Sequence, residues 1–176
     1  MPLHFTNLRK EDLQPIIDKI IKRIADWKGK LLSYAGRLTL LKAFLASVPI
    51  YLMSIIKFPK WAIAMINSQM SHFLWNNNEE SHKYHLANWQ LVAQKKEVGG
   101  FGTPDMRNLN LSLLSSWIFR YGLQSESIWV KMVDYKYNTN NPNFMCSNNT
   151  AASPFWKGVM WALQAARMGI KWLVGN

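Results

Sequence analysis

Leu13, Ile16, Ile17, Ile20, Ile24 and Trp27 recur three and four residues apart, with Asp18, Lys19, Lys22, Arg23 and Asp26 between them. This spacing predicts an amphipathic helix with one apolar and one charged face. Asp12 is placed to cap it, Pro15 to sit in its first turn and Gly29 to end it. A second helix is expected after Ser33. Leu38, Leu41, Leu45 and Val48 line its buried side, and Leu40 and Phe44 widen the stripe. Pro49 must kink or break it, because proline lacks an N–H and crowds the preceding turn. Residues 50–56 then form a short apolar extension. Pro59 opens a third helix with Ile63, Ile66, Met70, Phe73 and Leu74 as its stripe. Three such helices with short connections predict a small bundle.

The second half has a different punctuation. Residues 76–81 are polar and read as a loop, and 83–89 as a short extended segment. Gly99, Gly100 and Gly102 interrupt regular structure, and Pro104 opens another helix with Leu109, Leu113, Ser116, Trp117 and Tyr121 on one face. A shorter helix is expected over 127–137. Residues 138–152 are rich in Asn, Ser and Thr and read as a loop. Ser153 and Pro154 cap a last helix with Trp156, Val159, Met160, Leu163 and Met168 on one side. The expected fold class is therefore mainly α. An N-terminal three-helix bundle over 1–76 precedes a short extended segment and a second group of helices over 77–176.

Composition supports a packed chain. Apolar residues are 49% and charged residues 18% of the 176, and nine tryptophans promise a sizeable core. The uncharged apolar stretch 43–56 is too short to span a bilayer and contains Pro49, so it reads as core and not as a transmembrane segment. Cys146 is the only cysteine, which excludes an internal disulfide and a multi-cysteine zinc site. The N-terminus carries no apolar secretory stretch. An intracellular location follows, nuclear or cytoplasmic, with a mitochondrial one only weakly suggested by Arg9 and Lys10.

Charge changes the picture more. The net charge is +11, and residues 1–60 hold eleven basic and four acidic side chains, so +7 of it. Such a balance suits a polyanionic partner. Arg9, Lys10, Lys19, Lys22, Arg23, Lys28, Lys30, Arg37 and Lys42 crowd the first two helices and their junction. Lys and Arg on helices are a common sequence-independent grip on a phosphate backbone; an ordinary solvated face is the competing reading.

Catalytic constellations are incomplete. No Asp-Asp pair occurs, so a two-metal polymerase centre lacks its adjacent carboxylates. Glu79 and Glu80 fall in a polar loop and read as a solvated turn. His82 and His85 could share a metal only with a third ligand from elsewhere; otherwise they are a loop and a strand histidine. Cys146 lies in an Asn-rich loop without an activating neighbour. The glycines at 99–102 lack phosphate-loop spacing and read as a tight turn holding Phe101 in the core. Trp27, Trp117, Trp156 and Trp161 fall on apolar helical faces, so core packing is expected of them in preference to base stacking. No cofactor, metal site or catalytic residue is expected.

Several motifs together resemble one family. Trp27-Lys28-Gly29-Lys30-Leu31-Leu32-Ser33-Tyr34-Ala35-Gly36-Arg37-Leu38 resembles the W-K-x-K-x-L-S-x-A-G-R-L signature of plant LINE-type (non-LTR) retroelement reverse transcriptases. Pro49-Ile50-Tyr51-Leu52-Met53-Ser54 is similar to P-x-Y-x-M-S, and Phe73-Leu74-Trp75 to F-x-W. Gly99-Gly100-Phe101-Gly102 is similar to G-G-L-G, with Phe101 in place of leucine. Asp105-Met106-Arg107-Asn108-Leu109-Asn110 is similar to D-L-x-x-x-N, and Leu113, Leu114 and Trp117 continue it. Trp129, Lys136 and Tyr137 also fit. Met1-Pro2-Leu3 and Trp172-Leu173-Val174-Gly175-Asn176 resemble segments that flank this region in the family.

The resemblance covers nearly the whole chain and implies the thumb and the connecting segment after the polymerase palm. Nuclease, palm and zinc-binding regions lie outside it. It implies a helical bundle that grips a primer–template duplex by its backbone. Lys28, Lys30, Arg37 and Lys42 would be the foremost phosphate contacts, with Lys22 and Arg23 beside them. Gly36, without a side chain, would let a backbone approach closely. The expectation is a chain that is not an enzyme and that binds an RNA or DNA duplex backbone without reading sequence. The alternative is a recruited protein-interaction module, regulator or growth-inhibiting factor. It would act on a protein partner, or by self-association, through an exposed former palm interface.

Overall fold

The protein is seen in a computed structural model that describes residues 9–26, 32–75, 87–124, 126–137 and 152–169. It is mainly helical, and among the described residues no strand occurs. Helix α1 covers Lys10–Asp26, α2 Tyr34–Leu40, α3 Ile50–Met53 and α4 Lys60–Trp75. Four more follow: α5 Trp89–Val92, α6 Met106–Leu123, α7 Ile128–Tyr137 and α8 Pro154–Gly169. A π-helical turn, Leu41–Leu45, extends α2, and a 3-10 turn, Lys96–Val98, follows α5.

Helix α1 starts earlier than its apolar pattern suggests. Asp12 lies inside the first turn, and its carboxylate accepts from the Arg9 N–H at 2.9 Å. It works as the returning half of a capping box and not as the cap. Pro15 consequently falls in the second turn. Leu13, Ile17 and Ile20 point inward as the period requires, each at most 1% exposed.

Ser33 does cap α2, its Oγ accepting from the Gly36 N–H at 3.2 Å. The helix then widens. Ala46 N–H reaches back five residues to the Leu41 carbonyl at 3.0 Å. A π turn holds an extra residue, so the stripe slips in register. Leu41 and Leu45 stay buried, whereas Phe44, expected on the buried side, is half exposed. Tyr51 is also outward, so the 43–56 stretch is only partly core.

Helix α4 packs between α1 and α2. Ala62, Ile66, Met70, Phe73 and Leu74 are its buried apolar positions. Together with Leu13, Ile20, Leu41, Leu45 and Met53 they form the main cluster, which Val92 and Met106 join from the second half. At Trp89 the chain is helical, not extended: Asn88 caps α5 by accepting from the Gln90 N–H at 3.0 Å. Residues 76–86 lie outside the described set.

Helix α6 lies between two layers. It packs on α3 and α4 on one side and on α8 on the other. Asp105 caps it, accepting from Arg107 N–H at 2.8 Å and Asn108 N–H at 3.1 Å. Its deepest line is Met106, Asn110 and Leu114, one residue away from the expected face of Leu109, Leu113, Ser116, Trp117 and Tyr121, which is half-buried. Both sides of the helix are covered, so a single-face pattern could not locate its centre. A second, aromatic cluster ties α7 and α8 to it. Tyr137 stacks on Trp156 at 4.6 Å, and Trp117 meets Trp129 and Phe155 edge-on at 5.5 and 5.3 Å.

Candidate nucleic-acid interface

The expected phosphate contacts occupy three kinds of place. Lys22 and Arg23 lie on the charged side of α1, exposed and half-buried respectively. Arg37 is buried in α2 at 9% exposure. Lys42, in the π turn, is half-buried and donates through Nζ to the Phe101 carbonyl. Its ammonium is held below the ordinary lysine value, first by burial and then by Lys96. Lys28 and Lys30 lie outside the described residues, as do Trp27, His82, His85, Cys146, Glu79 and Glu80.

What fixes Lys42 is the meeting of separate motifs. Tyr34 opens α2 and packs against Trp75 at 5.5 Å and edge-on to Phe101 at 5.9 Å. The glycine turn delivers Phe101 there. Its N–H donates to the Val92 carbonyl at 3.0 Å and Gly102 N–H to the Gln94 carbonyl at 2.8 Å. A Cβ on Gly100 would lie 2.1 Å from the Gln94 carbonyl oxygen, which a side chain cannot tolerate, and Gly99 and Gly102 have φ of 87° and 64°. The turn thus works as expected, holding Phe101 against the bundle. Gly36 differs: a Cβ there would meet nothing closer than 3.5 Å. Packing within the chain does not demand glycine at this place, although glycine costs a helix about 1 kcal/mol relative to alanine.

A second junction joins the Pro49–Ser54 motif to α6. Asn110 is fully buried, and its Oδ1 accepts from Phe58 N–H at 2.9 Å. Its Nδ2 donates to the Met53 and Ile56 carbonyls at 2.6 and 2.9 Å. Trp117 Nε1 donates to the Ser54 carbonyl at 2.6 Å. The backbone groups left over where α3 ends are therefore satisfied by side chains of α6.

This junction places cations that periodicity did not single out. Lys57, Lys60 and Arg107 are all exposed. Lys57 Nζ lies over the Trp161 ring, 4.7 Å from its centroid. Its ammonium is held below the ordinary value by burial, then by Arg107 and Lys60. The available signal was Lys57-Phe58-Pro59-Lys60, two cations around a helix-opening proline. Arg107 could not be joined to them without the Asn110 bonds.

No family model matches the chain. It is similar along its full length to an Arabidopsis thaliana protein bearing the name "Putative ribonuclease H protein", at 28% identity, and spans 29% of that protein's length. It is also similar to an "Uncharacterized mitochondrial protein" of the same plant, at 25% identity over 131 residues, 74% of this chain and 85% of the relative. The resemblance to plant retroelement proteins is thus supported as far as plant relatives, one with a ribonuclease H name. The expectation that the chain is not an enzyme is corrected by that relative, which aligns with all of it. The expectation rested on a missing Asp-Asp pair, which bears on polymerase chemistry and not on nuclease chemistry. Among the described residues no three of His, Cys, Asp and Glu converge as metal ligands. No described helix is long and apolar enough to cross a membrane.

Proposed function

We propose that the chain is a retroelement-derived segment that grips the sugar–phosphate backbone of duplex nucleic acid, as the thumb of a LINE-type reverse transcriptase does. In this reading it serves a ribonuclease H-type protein and holds an RNA–DNA hybrid without reading sequence. Lys22, Arg23, Lys28 and Lys30 meet phosphates directly. Arg37 and Lys42 hold the frame behind them, and Gly36 leaves room for the backbone. The observation that carries the reading is the union of the signature motifs in one packed frame, through Tyr34–Trp75–Phe101 and Lys42–Phe101, on a chain of net charge +11. Cations carried by a packed helical frame supply a sequence-independent grip.

Fluorescence anisotropy with a labelled RNA–DNA hybrid tests it. The Lys22→Gln, Arg23→Gln, Lys28→Gln, Lys30→Gln variant should bind at least tenfold more weakly at about 100 mM salt, since every phosphate left without its cation weakens binding. Unchanged binding would remove these residues from the interface.

One observation favours a protein-interaction role as a second reading. Ile128, Met132 and Tyr135 recur along α7 and are 78%, 67% and 95% exposed, with Leu123 and Phe119 of α6 exposed nearby in sequence. Sedimentation of the wild type against Met132→Asp, Tyr135→Asp tests self-association. This reading expects a wild-type dimer that the variant loses; a wild-type monomer at every concentration opposes a self-pairing role.

A further inference from the structure

We infer that Lys57, Lys60 and Arg107, with Lys157 at their margin, form a second phosphate-binding site for the backbone of a nucleic acid. It lies where the turn between α3 and α4 meets the first turn of α6, and it rests on the duplex-grip reading above.

Position is the first argument. Asn110 clamps the Phe58 N–H and the Met53 and Ile56 carbonyls, so the turn carrying Lys57 is fixed to α6. Arg107 precedes Asn110 by three residues and therefore lies on the same side of the helix, one turn nearer its start. Helix α8 presses on the turn from elsewhere. A Cβ on Gly158 would come within 3.1 Å of the Lys57 backbone nitrogen, and the Trp161 ring lies beneath the Lys57 ammonium. Lys157 precedes Trp161 by four residues, so it shares that face of α8. Four elements thus bring exposed cations to one area.

Charge is the second argument. No carboxylate is among the groups that act on the Lys57 ammonium. Asp105, the acid nearest in sequence to Arg107, accepts from the first N–H groups of α6. Burial first, and then repulsion by Arg107 and Lys60, eases the proton off Lys57. An arriving anion relieves that repulsion, and a chain of linked phosphates relieves it at several side chains at once. The side chains are exposed and come from separate elements, which suits a long polyanion better than one small enclosed ion. Trp161 already carries the Lys57 ammonium, so it holds a cation and is not a stacking platform for a base.

The test is a salt series with a labelled RNA–DNA hybrid on three proteins. These are the wild type, the Lys57→Gln, Lys60→Gln, Arg107→Gln variant, and the variant at Lys22, Arg23, Lys28 and Lys30 described above. Circular dichroism melting checks folding. The Lys60→Gln, Arg107→Gln double variant, which leaves the Lys57–Trp161 contact intact, stands in if the triple variant melts early. Every phosphate that is no longer neutralised should make the slope of log K against log salt shallower by about 1. The triple variant should therefore be shallower by about 2 to 3 and bind at least tenfold more weakly. Wild-type binding with an unchanged triple variant would overturn this site while leaving the duplex grip standing. Absence of wild-type binding would overturn both. Loss of binding to phosphatidylserine vesicles, with hybrid binding intact, would replace the nucleic acid by a membrane surface and overturn the inference.

Discussion

Asn110 shows how one polar side chain can organise two halves of a chain. It is fully buried and makes three hydrogen bonds to backbone more than fifty residues earlier. Replacing it with leucine, which has as many side-chain heavy atoms but no polar group, would leave one N–H and two carbonyls without partners in the core. At roughly 1–3 kcal/mol for each stranded group, partly recovered by relaxation, Asn110→Leu should cost about 3–5 kcal/mol in urea unfolding. A loss below about 1 kcal/mol would mean that the turn does not depend on it. Lys57 supports a second expectation. Its folded-state pKa is lowered from 10.5, so the unfolded chain holds that proton more firmly. The penalty is present in full below the folded value and disappears as pH rises through it towards 10.5. Lys57 contributes a gain in stability with rising pH in that window, which Lys57→Gln removes. Bound hybrid should move the Lys57 titration back up, read from its side-chain NMR shifts between about pH 8 and 11. An unmoved titration would place Lys57 away from phosphate. The sequence contained Asn110 within the D-x-x-x-x-N motif, yet periodicity treats an Asn on an apolar line as a gap. Its partners are backbone atoms, which no side-chain pattern reveals.

At the scale of elements, helices with one covered face were readable. In α1 and α4 the apolar period matches most buried positions, because one side meets the core and the other meets water, and in α8 it finds Trp156, Val159 and Leu163 but not Ala162 or Ala166. The period missed the centre of α6, covered on two sides, and in the π turn after α2 it misplaced only Phe44, while Leu38, Leu41, Leu45 and Val48 pack as expected. The glycine turn was readable as a break that holds Phe101, but which glycine is indispensable was not. Gly100 has an ordinary φ and is excluded from bearing a side chain by the Gln94 backbone, whereas Gly99 is open in space and constrained by its positive φ. Gly100→Ala should therefore destabilise by about 2 kcal/mol or more, and Gly99→Ala by about 1 kcal/mol. Thermal melts of the two variants compare them directly. Equal small losses would mean that the Gln94 backbone yields.

For the whole molecule, the signature motifs act as fasteners. Tyr34, Trp75 and Phe101 close one junction; Met53, Ser54, Asn110 and Trp117 close another. The motifs are far apart in sequence and are brought together by packing, so their order was legible and their purpose was not. The basic composition pointed to a polyanion, but charge alone could not say which cations are spent inside. Arg37 is buried and Lys42 binds a carbonyl, while Lys57, Lys60 and Arg107 remain outward. The central claim is a backbone grip on duplex nucleic acid, and the slope of log K against log salt for the wild-type chain on an RNA–DNA hybrid tests it most directly. A grip through at least four phosphates predicts a slope of about −4 or steeper, equal for hybrids of unrelated sequence. A slope near zero, or no binding at low salt by the folded chain, would contradict it.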